Sequence, residues 1–424
     1  MKNNVLYYDY DVAVLGGGSA GLASAIRAAK ENVNVVVFER DEKLGGILNQ
    51  CIHNGFGLSY FKEELTGPEY ANKFIQNLNM SNLTIKMKTT VISFSKKQVK
   101  GQNFYVVSTL SQEGVKQYNV KSVILAMGCR ERPSGAISLC GTRPAGVISA
   151  GSAQKIVNIY GKMIGKNIVI VGSGDIGLIM ARRLKCEGAN VLGVYEIMPE
   201  PSGLKRNIIQ CLNDFNIPLH LSKTVFEVVG KDRVEGVWVA PVNKDFNFDF
   251  SKKEFIPCDS VVLSIGLVPE EDLAEKCGIK TNKITGGAEI DEYLQTSLKG
   301  VFSCGNVLHV HDIVDNVSRE AERAGENASK YVKNKLILGI KKQILNGEGV
   351  RYVNPSSYYL STDRLLTINF RSSKTFKNAK IVIKSGEEII KTIEKKVILP
   401  AEMETVVVEK NNAKKDILVE IKEN

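Results

Sequence analysis

Two stretches of the chain share one arrangement of apolar and polar positions. In each, a short apolar run leads into a glycine-rich turn, a helix-forming stretch follows, and a second apolar run ends at a glutamate. The first copy starts at Val12–Leu15 and ends with Val33–Phe38 and Glu39, and the second starts at Ile168–Val171 and ends at Glu196. Short apolar runs bounded by glycine indicate buried strands, and the longer stretch between them indicates a helix. The pattern therefore predicts two separate βαβ units.

The last part of the chain shows apolar and polar residues in alternation. A helix is expected around residues 320–345, and the glycine turn over 346–350 separates it from the alternating segments. Alternation with a period of two is typical of strands that have one buried face. The sequence therefore predicts a small antiparallel β domain over residues 350–424, which contains no cysteine or histidine for redox chemistry. The alternating segments are 365–372, 379–386, 402–410 and 415–424.

The composition limits the classes of protein that fit. The chain has 424 residues, of which 43% are hydrophobic and 24% charged, as in soluble globular proteins. No apolar run approaches the ~18 residues of a membrane span, and the N-terminus reads as a strand and turn instead of a signal peptide. The eight cysteines are scattered without a C-x-x-C pair, which argues against a zinc ribbon or a secreted disulfide framework. Reduced thiols in the cytoplasm are the simplest expectation.

The net charge of +10 raises the question of a nucleic-acid partner. The lysines occur as scattered pairs, mostly beside acidic residues, and no basic run interleaves with aromatic residues. A solvated lysine-rich surface explains the charge better, so no nucleic-acid partner is expected.

The residue types of the first glycine turn suit a dinucleotide. Gly16 permits the tight turn, Gly18 lets the backbone approach a pyrophosphate, and Gly21 lets the helix pack against the strand. The first N–H groups of the helix face the phosphates, and Glu39 lies where a carboxylate accepts the ribose hydroxyls. Because strand, helix and acid all stand at the required spacing, a glycine turn without a ligand is the less favoured interpretation.

The second glycine turn repeats this fingerprint with a different consequence. Its acid, Glu196, would repel the 2′-phosphate of NADP, where NADP sites usually carry an arginine. NAD is therefore favoured over NADP. The residues expected to line this nucleotide are Gly172, Gly174, Asp175, Ile176, Gly177, Glu196 and Gly266.

Two further segments accompany the first turn, a buried strand ending in Ala126-Met127-Gly128 and a later strand ending in Gly305-Asn306. With these segments the chain resembles the thioredoxin reductase and pyridine nucleotide-disulfide oxidoreductase superfamily over roughly residues 8–335. The resemblance implies that the first turn binds FAD and that the strand ending at Gly128 closes over the flavin site. It also implies that the Gly305-Asn306 pair contacts the ribityl-phosphate region, and that an NAD domain is inserted between the two flavin segments. The flavin residues implied in this way are Gly16, Gly18, Ser19, Gly21, Glu39, Arg40, Gly46, Val91, Gly128, Gly305 and Asn306.

The expected fold class is accordingly α/β, with two Rossmann-like dinucleotide-binding domains and the small C-terminal antiparallel β domain. The FAD-binding domain is expected to begin with residues 1–155 and to return in residues 286–346. The NAD-binding domain is expected over 156–285, and the β domain over 350–424.

The sequence departs from the superfamily in two places. The late pair is Gly305-Asn306 instead of Gly-Asp, and asparagine still hydrogen-bonds a ribityl chain but brings no negative charge. In enzymes of the glutathione reductase type the double glycine, here Gly45-Gly46, leads to two cysteines, whose places hold Leu48 and His53. The C-x-x-C pair of thioredoxin reductases is missing as well. Electron relay through an active-site disulfide is therefore not expected, which leaves the flavin as the terminal redox centre.

Cys51 and His53 follow the double glycine, in a segment that the resemblance places against the isoalloxazine ring. Cys51 is more simply interpreted as a small buried apolar residue than as a redox thiol. His53 is suited to proton exchange near neutral pH. Both are candidates for tuning the flavin or for proton transfer.

His309 and His311 alternate along the segment after Gly305-Asn306 and precede a helix that Asp315 is expected to N-cap. In the superfamily that helix points its N-terminus at the flavin and stabilises the anionic reduced ring. The two histidines are candidates for a proton or substrate role at the flavin, or for structural hydrogen bonds. They have no evident third partner for a metal ion, so no metal site is expected.

The segments 45–57, GCRERP, GTRPAGV and GNVLHVHDIVDNVS resemble a narrower group. Its members are the FAD/NAD-binding proteins that accompany a glycerol-3-phosphate dehydrogenase in anaerobic bacteria. They are similar to the FAD-containing alpha subunits of opine oxidase and hydrogen cyanide synthase. The resemblance implies an electron-transfer flavoprotein subunit that works beside a substrate-oxidising partner dehydrogenase.

The favoured interpretation is an oxidoreductase that passes a hydride between NAD(H) and FAD without an active-site disulfide. One alternative is a stand-alone NADH oxidase or peroxidase that uses Cys51 as a single redox thiol. The other is a scaffold subunit that binds nucleotides without turnover, since an intact fingerprint indicates binding better than it indicates catalysis.

Overall fold

The computed structural model describes residues 7–99, 101–360 and 365–423. The chain divides into two compact units, of which one is Arg130–Val268 and the other contains the residues before and after it. The start of the predicted N-terminal domain (residues 1–6) and the end of the last predicted strand (residue 424) lie outside the described residues.

Among the described residues, eight α-helices and β-strands precede the second unit. They are β1 Tyr10–Leu15, α1 Ser19–Lys30, β2 Val35–Phe38, α2 Gly67–Ile75, β3 Leu83–Lys86, β4 Thr90–Val99, β5 Gln102–Ser111 and β6 Gly114–Leu125. The strand order is β3-β2-β1-β6-β5-β4, in which β3, β2, β1 and β6 run parallel and β4, β5 and β6 form an antiparallel meander. The first βαβ unit is therefore present as predicted, with the whole of β2 buried.

The second unit holds a parallel sheet and an antiparallel sheet. Its elements, with the short strands at both boundaries, are β7 Cys129–Glu131, β8 Cys140–Gly141, β9 Val147–Ser149, α3 Ala150–Asn158, β10 Asn167–Val171, α4 Asp175–Cys186, β11 Asn190–Tyr195, α5 Lys205–Cys211, β12 Leu219–His220, β13 Lys223–Gly230, β14 Val234–Pro241, β15 Glu254–Pro257, β16 Ser260–Leu263 and β17 Leu267–Pro269. The parallel order is β12-β11-β10-β16-β9, and the antiparallel order is β15-β14-β13, with β8 added in parallel to β13. Ile168 and Ile170 pack into one hydrophobic cluster and Val169 and Val171 into another, because successive side chains of a strand point to opposite faces.

The chain then returns to the first sheet through α6 Asp272–Lys276, β18 Val301–Ser303 and α7 Val314–Val332. β18 pairs in parallel with β6. α7 packs on α1 so closely that a Cβ on Gly325 would lie 2.2 Å from the carbonyl oxygen of Ser24. Within the described ranges, no helix is both long enough and apolar enough to cross a membrane.

The predicted helix over 320–345 is wrong in its second half. α7 ends at Val332, and Asn334 has a φ of +55°, a left-handed conformation that commonly terminates helices. Residues 340–346 form a strand instead. α7 starts at Val314, before residue 320 and two residues before the start that an N-cap at Asp315 would give.

The C-terminal region is an antiparallel β domain with a hydrophobic core of its own. Its strands are β19 Ile340–Asn346, β20 Val350–Asn354, β21 Ser357–Leu360, β22 Leu365–Ser372, β23 Phe376–Ser385, β24 Glu388–Ile398, β25 Glu404–Glu409 and β26 Ile417–Glu423. They form two sheets, β21-β19-β26-β23-β24 and β20-β22-β25, and among these described strands only β19 and β26 pair in parallel. The four predicted strands correspond to β22, β23, β25 and β26, and the other four were not predicted.

The second compact unit differs from the predicted NAD domain over 156–285 at both ends. β9 pairs with β16 and leads into α3, which adds residues before 156 to the unit. After Val268 the chain already belongs to the first unit, where α6 packs against β4.

Candidate active site

The first glycine turn lies at the carboxyl ends of β1, β6 and β18, which run parallel in the first sheet. Gly16 has a φ of +105°, and a Cβ on it would lie 2.6 Å from the carbonyl oxygen of Ala126. A Cβ on Gly21 would lie 1.8 Å from the carbonyl oxygen of Gly16, so only glycine lets α1 start this close to the strand. At Gly18 a Cβ would meet nothing within 4 Å, and no side chain caps α1 there. The turn therefore presents its backbone to open space, as an anion site requires.

The double-glycine segment packs directly against this turn. Gly45 donates its N–H to the carbonyl oxygen of Gly17 at 2.9 Å. A Cβ on Gly46 would lie 3.2 Å from Cα of Gly18, so the two backbones are in contact. The segment that carries Cys51 and His53 therefore begins at the glycine turn.

The two remaining predicted segments meet the turn from the sheet side. A Cβ on Gly305 would lie 2.8 Å from Cβ of Ala20, in the first turn of α1. Gly128 follows β6 with a φ of +75°, and a Cβ there would again meet nothing within 4 Å. The structure thus brings together four segments that are far apart in the sequence, at one end of one sheet.

Glu39 stands directly after β2 with only 6% of its surface exposed. One carboxylate oxygen accepts the N–H of Gly17 and the other accepts the N–H of Asp41, both at 2.7 Å. Two backbone N–H groups therefore orient the carboxylate beside the glycine turn, and each oxygen keeps capacity for one further donor. Of the other predicted residues, Ser19 opens α1, Arg40 is exposed, and Val91 is half-buried near the start of β4.

Cys51 is held as a thiol in the structure. Its Sγ donates to the carbonyl oxygen of Ile47 at 3.3 Å, and burial raises the pKa of the thiol to about 12. The reactive form of a cysteine is the thiolate, which this environment disfavours near neutral pH. His53 is half-buried, with Nδ1 3.0 Å from the carbonyl oxygen of Asn54 and its ring 5.0 Å from that of Phe56.

Asp315 ties the following loop to α7. Its carboxylate accepts the N–H of Gly57 at 2.9 Å, of Ser59 at 2.7 Å and of Tyr60 at 3.0 Å, together with the Ser59 hydroxyl at 2.7 Å. Burial raises the pKa of Asp315, but the hydrogen bonds from Ser59, Gly57 and Tyr60 outweigh it and hold the pKa below its usual value. The prediction that Asp315 N-caps the helix is wrong, because Ile313 is the N-cap residue and Asp315 lies within the first turn.

His309 and His311 converge on one carboxylate that the sequence did not predict. His309 Nε2 lies 2.9 Å from one oxygen of Glu320, and His311 Nε2 lies 3.1 Å from the other. The second oxygen also accepts the N–H of Gly305 at 2.7 Å. The three side chains are 1%, 3% and 6% exposed. Glu320 of α7 therefore holds both histidines and the Gly305 turn.

The pKa shifts in this cluster follow from burial and pairing. Burial raises the pKa of Glu320, but His311 and His309 outweigh it and hold the pKa below its usual value. Burial lowers the pKa of His309 against the opposing effect of Glu320. The cluster is therefore an anionic carboxylate that accepts N–H groups from two imidazoles.

The cluster leaves two buried nitrogen atoms without partners among the described residues, Nδ1 of His309 and Nδ1 of His311. The structure also contradicts the expectation that the two histidines lack a third side chain that could bind a metal ion with them. Glu320 is a third side chain of the right type, with all potential ligand atoms within 4.8 Å of one another. Separations of 2.9 and 3.1 Å between nitrogen and oxygen are those of N–H···O hydrogen bonds.

Asn306 is fixed through both ends of its amide. Its oxygen accepts the N–H of His311 at 3.1 Å, and its nitrogen donates to Sγ of Cys129 at 3.7 Å. An aspartate at this position would keep the first contact and lose the second. The asparagine therefore links the histidine segment to the start of β7.

The glycine turn of the second unit is built around Ser264, which the sequence did not predict. Gly172 has a φ of +86°, and a Cβ on it would lie 2.2 Å from the carbonyl oxygen of Ser264. A Cβ on Gly177 would lie 2.5 Å from the Ser264 side chain, whose hydroxyl accepts the N–H of Gly177 at 3.1 Å. No side chain caps α4 at Gly174. Gly266, two residues further, has a φ of +97° and lies beside the Arg132 side chain.

Glu196 closes this second turn from the end of β11 and is 4% exposed. One oxygen accepts the N–H of Ser173 at 2.9 Å and the Ser173 hydroxyl at 2.6 Å, and the other accepts the N–H of Met198 at 2.9 Å. Asp175, in the first turn of α4, accepts the N–H of Leu204 at 2.8 Å, and its neighbour Ile176 is half-buried. The second site thus repeats the carboxylate and uncapped helix of the first.

The model of the pyridine nucleotide-disulphide oxidoreductase family matches residues 10–328, well over half of the chain. The chain belongs to this family. The match covers both glycine turns, the double glycine and the histidine cluster, and it ends before the C-terminal β domain.

Two curated proteins resemble similar lengths of the chain. An NADH oxidase from Methanocaldococcus jannaschii is 27% identical over 316 residues, which are 71% of this chain and 64% of that protein. Hydrogen cyanide synthase subunit HcnB from Pseudomonas protegens is 25% identical over 320 residues, which are 69% of this chain and 65% of that protein. The chain thus spans slightly less than two thirds of the length of these relatives.

The crystal structure of T. acidophilum thioredoxin reductase aligns with a TM-score of 0.62 and 22% identity, covering 76% of this chain and 99% of that one. This similarity and the family match confirm the predicted α/β fold class with its two Rossmann-like sheets. As a family member the chain belongs to the FAD- and NAD(P)-dependent oxidoreductases.

The residues of the first unit fit FAD. A glycine turn that faces open space and an uncapped helix N-terminus are what a pyrophosphate needs, and the oriented Glu39 carboxylate suits a ribose. The second unit offers the same donors and acceptor for a nicotinamide nucleotide at Gly174 and Glu196.

One feature of α7 would have revealed Glu320. Val317, Ala321, Ala324 and Ala328 form the buried stripe of the helix at helical spacing, and Glu320 falls on the same stripe. An acid on a buried helical face needs donors, and the nearest candidates are the two histidines that precede the helix.

Proposed function

We propose that the protein passes a hydride between NAD(H) and FAD without an active-site disulfide, as an electron-transfer subunit beside a substrate dehydrogenase. The proposal rests on the meeting of four segments, the glycine turn, the double glycine, Gly128 and Gly305, at the carboxyl ends of the parallel strands. The two positions for redox cysteines hold Leu48 and His53. The first site has the parts for a flavin, and the disulfide that would receive its electrons is missing.

In this proposal the flavin residues act in three groups. The glycine turn and Ser19 would bind the pyrophosphate through backbone N–H groups, and Glu39 with Arg40 and Val91 would hold the adenosine end. Gly46, Gly128, Gly305 and Asn306 would hold the ribityl chain and the ring. Bound FAD supplies the exchange of a hydride with nicotinamide and of electrons with an acceptor.

The histidine cluster holds a proton close to this site. Each histidine donates Nε2–H to Glu320, which leaves Nδ1 of each ring without a hydrogen-bond partner among the described residues and placed for proton exchange. An extra positive charge beside Glu320 would offset negative charge that develops nearby during reduction. His53 is the second candidate for proton exchange, because it follows the double glycine.

The second site favours NAD over NADP. Glu196 is held in the turn by Ser173 and Met198, and its anionic carboxylate would repel a 2′-phosphate. Gly172, Gly174, Asp175, Ile176, Gly177 and Gly266 would surround the rest of the nucleotide.

The partner role draws on the relatives and on the narrower resemblance. HcnB is named as a subunit of a synthase, and the similarity covers 69% of this chain. The resemblance to flavoproteins that accompany a glycerol-3-phosphate dehydrogenase makes such a dehydrogenase the proposed electron donor or acceptor.

An anaerobic titration of the purified protein with NADH and then NADPH tests this function through the visible flavin band. We expect NADH to bleach the band and NADPH to leave it largely unchanged, because Glu196 excludes the 2′-phosphate. A band that neither nucleotide bleaches would support the scaffold alternative, and a protein without a flavin band would refute the proposal.

A stand-alone NADH oxidase that uses Cys51 is the second candidate, since the M. jannaschii relative is named an NADH oxidase. We expect Cys51→Ser to leave NADH-dependent oxygen consumption within about twofold of the unaltered protein, because burial raises the thiol pKa to about 12. Cys140→Ser, at an exposed cysteine, is the matched control. A loss of about tenfold or more in Cys51→Ser alone would favour the oxidase.

A further inference from the structure

The C-terminal β domain contacts the segment that carries the two histidines. Arg371 of β22 donates to the carbonyl oxygen of Val310 at 3.1 Å and forms an ion pair with Asp312. The same guanidinium donates to the carbonyl oxygens of Pro400, at 3.3 Å, and Ala401. The Arg371 side chain thus connects two backbone carbonyl groups of the β domain to the segment between Gly305 and α7.

Two more residues of the β domain reinforce this contact. The N–H of Met403 donates to the second oxygen of Asp312 at 2.7 Å, so both oxygens of that carboxylate are bound by the β domain. The Tyr352 ring, on β20, meets the His309 ring edge-on at 6.4 Å. Arg371 and Asp312 are 13% and 19% exposed, so the contact is largely shielded from water.

We propose that Arg371 is a positioning residue for the redox site, which fixes the 309–312 segment and so holds both histidines on Glu320. Val310 lies between the two histidines, and Asp312 follows them, so the two points that Arg371 binds flank His311. The C-terminal β domain is then part of the active-site architecture. The role in redox chemistry rests on the proposed function, whereas the positioning of the histidines can be measured without it.

The geometry requires arginine at this position. The planar guanidinium has five donors in a fixed fork, and here it donates to a carboxylate and three carbonyl groups. A lysine keeps the charge, but its three donors on a flexible stem cannot make the same set of contacts. The charged and titratable groups that face the histidine pair are Glu320 of α7, Cys304 before the Gly305 turn, Asp312, Tyr352 of β20 and Arg371 itself.

Ring NMR signals of labelled histidine in the full-length protein test this inference, because the chain has only four histidines. His53→Gln and His220→Gln identify the other two signals. In Arg371→Met we expect the titration midpoint of His309 to rise by about one pH unit, since both a positive neighbour and burial are lost. Arg371→Lys should show most of this shift if positioning matters, and little of it if only the charge matters.

Lys384→Met is the matched control, because it removes another ion pair of the same domain, with Glu420, away from the histidine segment. Asp312→Asn is the second variant should Arg371→Met fail to fold. Removing a negative charge by itself lowers the pKa of a histidine, so the rise of the His309 midpoint that we expect in this variant would report the lost burial and positioning alone. Histidine signals that are unchanged in Arg371→Met and Asp312→Asn would overturn the inference. In preparations that carry flavin, the pH dependence of the flavin midpoint potential should change in parallel. A protein that never binds flavin would refute the proposed function but would leave the NMR test intact.

Discussion

Replacing Glu320 with glutamine is expected to lower the free energy of unfolding by about 2–4 kcal/mol and to weaken flavin retention. Three donors point at this carboxylate, from His309, His311 and the backbone of Gly305. A carboxamide offers one acceptor oxygen, and its NH2 group would face an N–H that needs an acceptor. Denaturant unfolding of the full-length protein measures the loss of stability, and the ratio of flavin to protein absorbance after dialysis measures retention.

Glu322→Gln is the matched control, two residues further along α7. Glu322 accepts a hydrogen bond from the Tyr60 hydroxyl at 2.7 Å, which the amide oxygen of glutamine can still accept. We expect this variant to lose less than about 1 kcal/mol. Equal effects of the two substitutions would show that Glu320 does not hold the cluster as described.

The Glu320 effect should depend on pH in a defined direction. The fold lowers the pKa of Glu320 below its ordinary value of 4.5, so the stability it contributes is present above about pH 4.5 and is lost as the pH falls through the folded-state pKa. The difference in stability between the unaltered protein and Glu320→Gln should therefore be constant near neutral pH and shrink in acid. For His309, whose pKa is lowered, the neutral ring contributes above about pH 6.5 and its contribution declines below that value.

Local sequence predicts best those parts of the fold in which backbone atoms themselves form the binding site. Gly16 and Gly21 sit where a Cβ would collide with the neighbouring backbone, and the spacing that marks them in the sequence is imposed by that geometry. The ends of β1 and β22 were also close to their predicted positions, because buried strands show their period over a few residues.

The parts that sequence did not predict depend on partners distant along the chain. Ser264 supports a turn that begins 92 residues earlier at Gly172, and Arg371 binds a segment about 60 residues away. No local pattern marks a serine or an arginine for such a contact. The interpretation of Asp315 as an N-cap failed for the same reason, since its four donors come from the loop at Gly57–Tyr60, more than 250 residues earlier.

The last prediction concerns the attachment of the β domain at a second point. Lys410, from the turn after β25, pairs with Glu292 at 2.7 Å, and the two side chains are 2% and 5% exposed. The other oxygen of Glu292 accepts the N–H of Tyr359 at 2.7 Å. We expect Lys410→Met to lower the free energy of unfolding by about 3–5 kcal/mol, because it leaves a buried carboxylate without its counter-charge. Denaturant unfolding of the full-length protein measures this loss, because the midpoint and the slope of the transition together give the free energy of unfolding.

Adding Glu292→Gln to Lys410→Met separates the cost of an unpaired charge from the value of the pair. Glutamine keeps an acceptor for Tyr359 and carries no charge, so the double variant should recover most of the loss. Lys384→Met, at the partly exposed pair with Glu420, should leave the denaturation midpoint close to that of the unaltered protein, because exposed ion pairs contribute little to stability. If the double variant were as unstable as Lys410→Met alone, attraction across the pair would outweigh the cost of the unpaired charge. Glu292 and Lys410 would then together attach the β domain to the segment between α6 and β18. Recovery in the double variant would instead assign that attachment mainly to Arg371 and to the strand contact between Asp291 and Ser357.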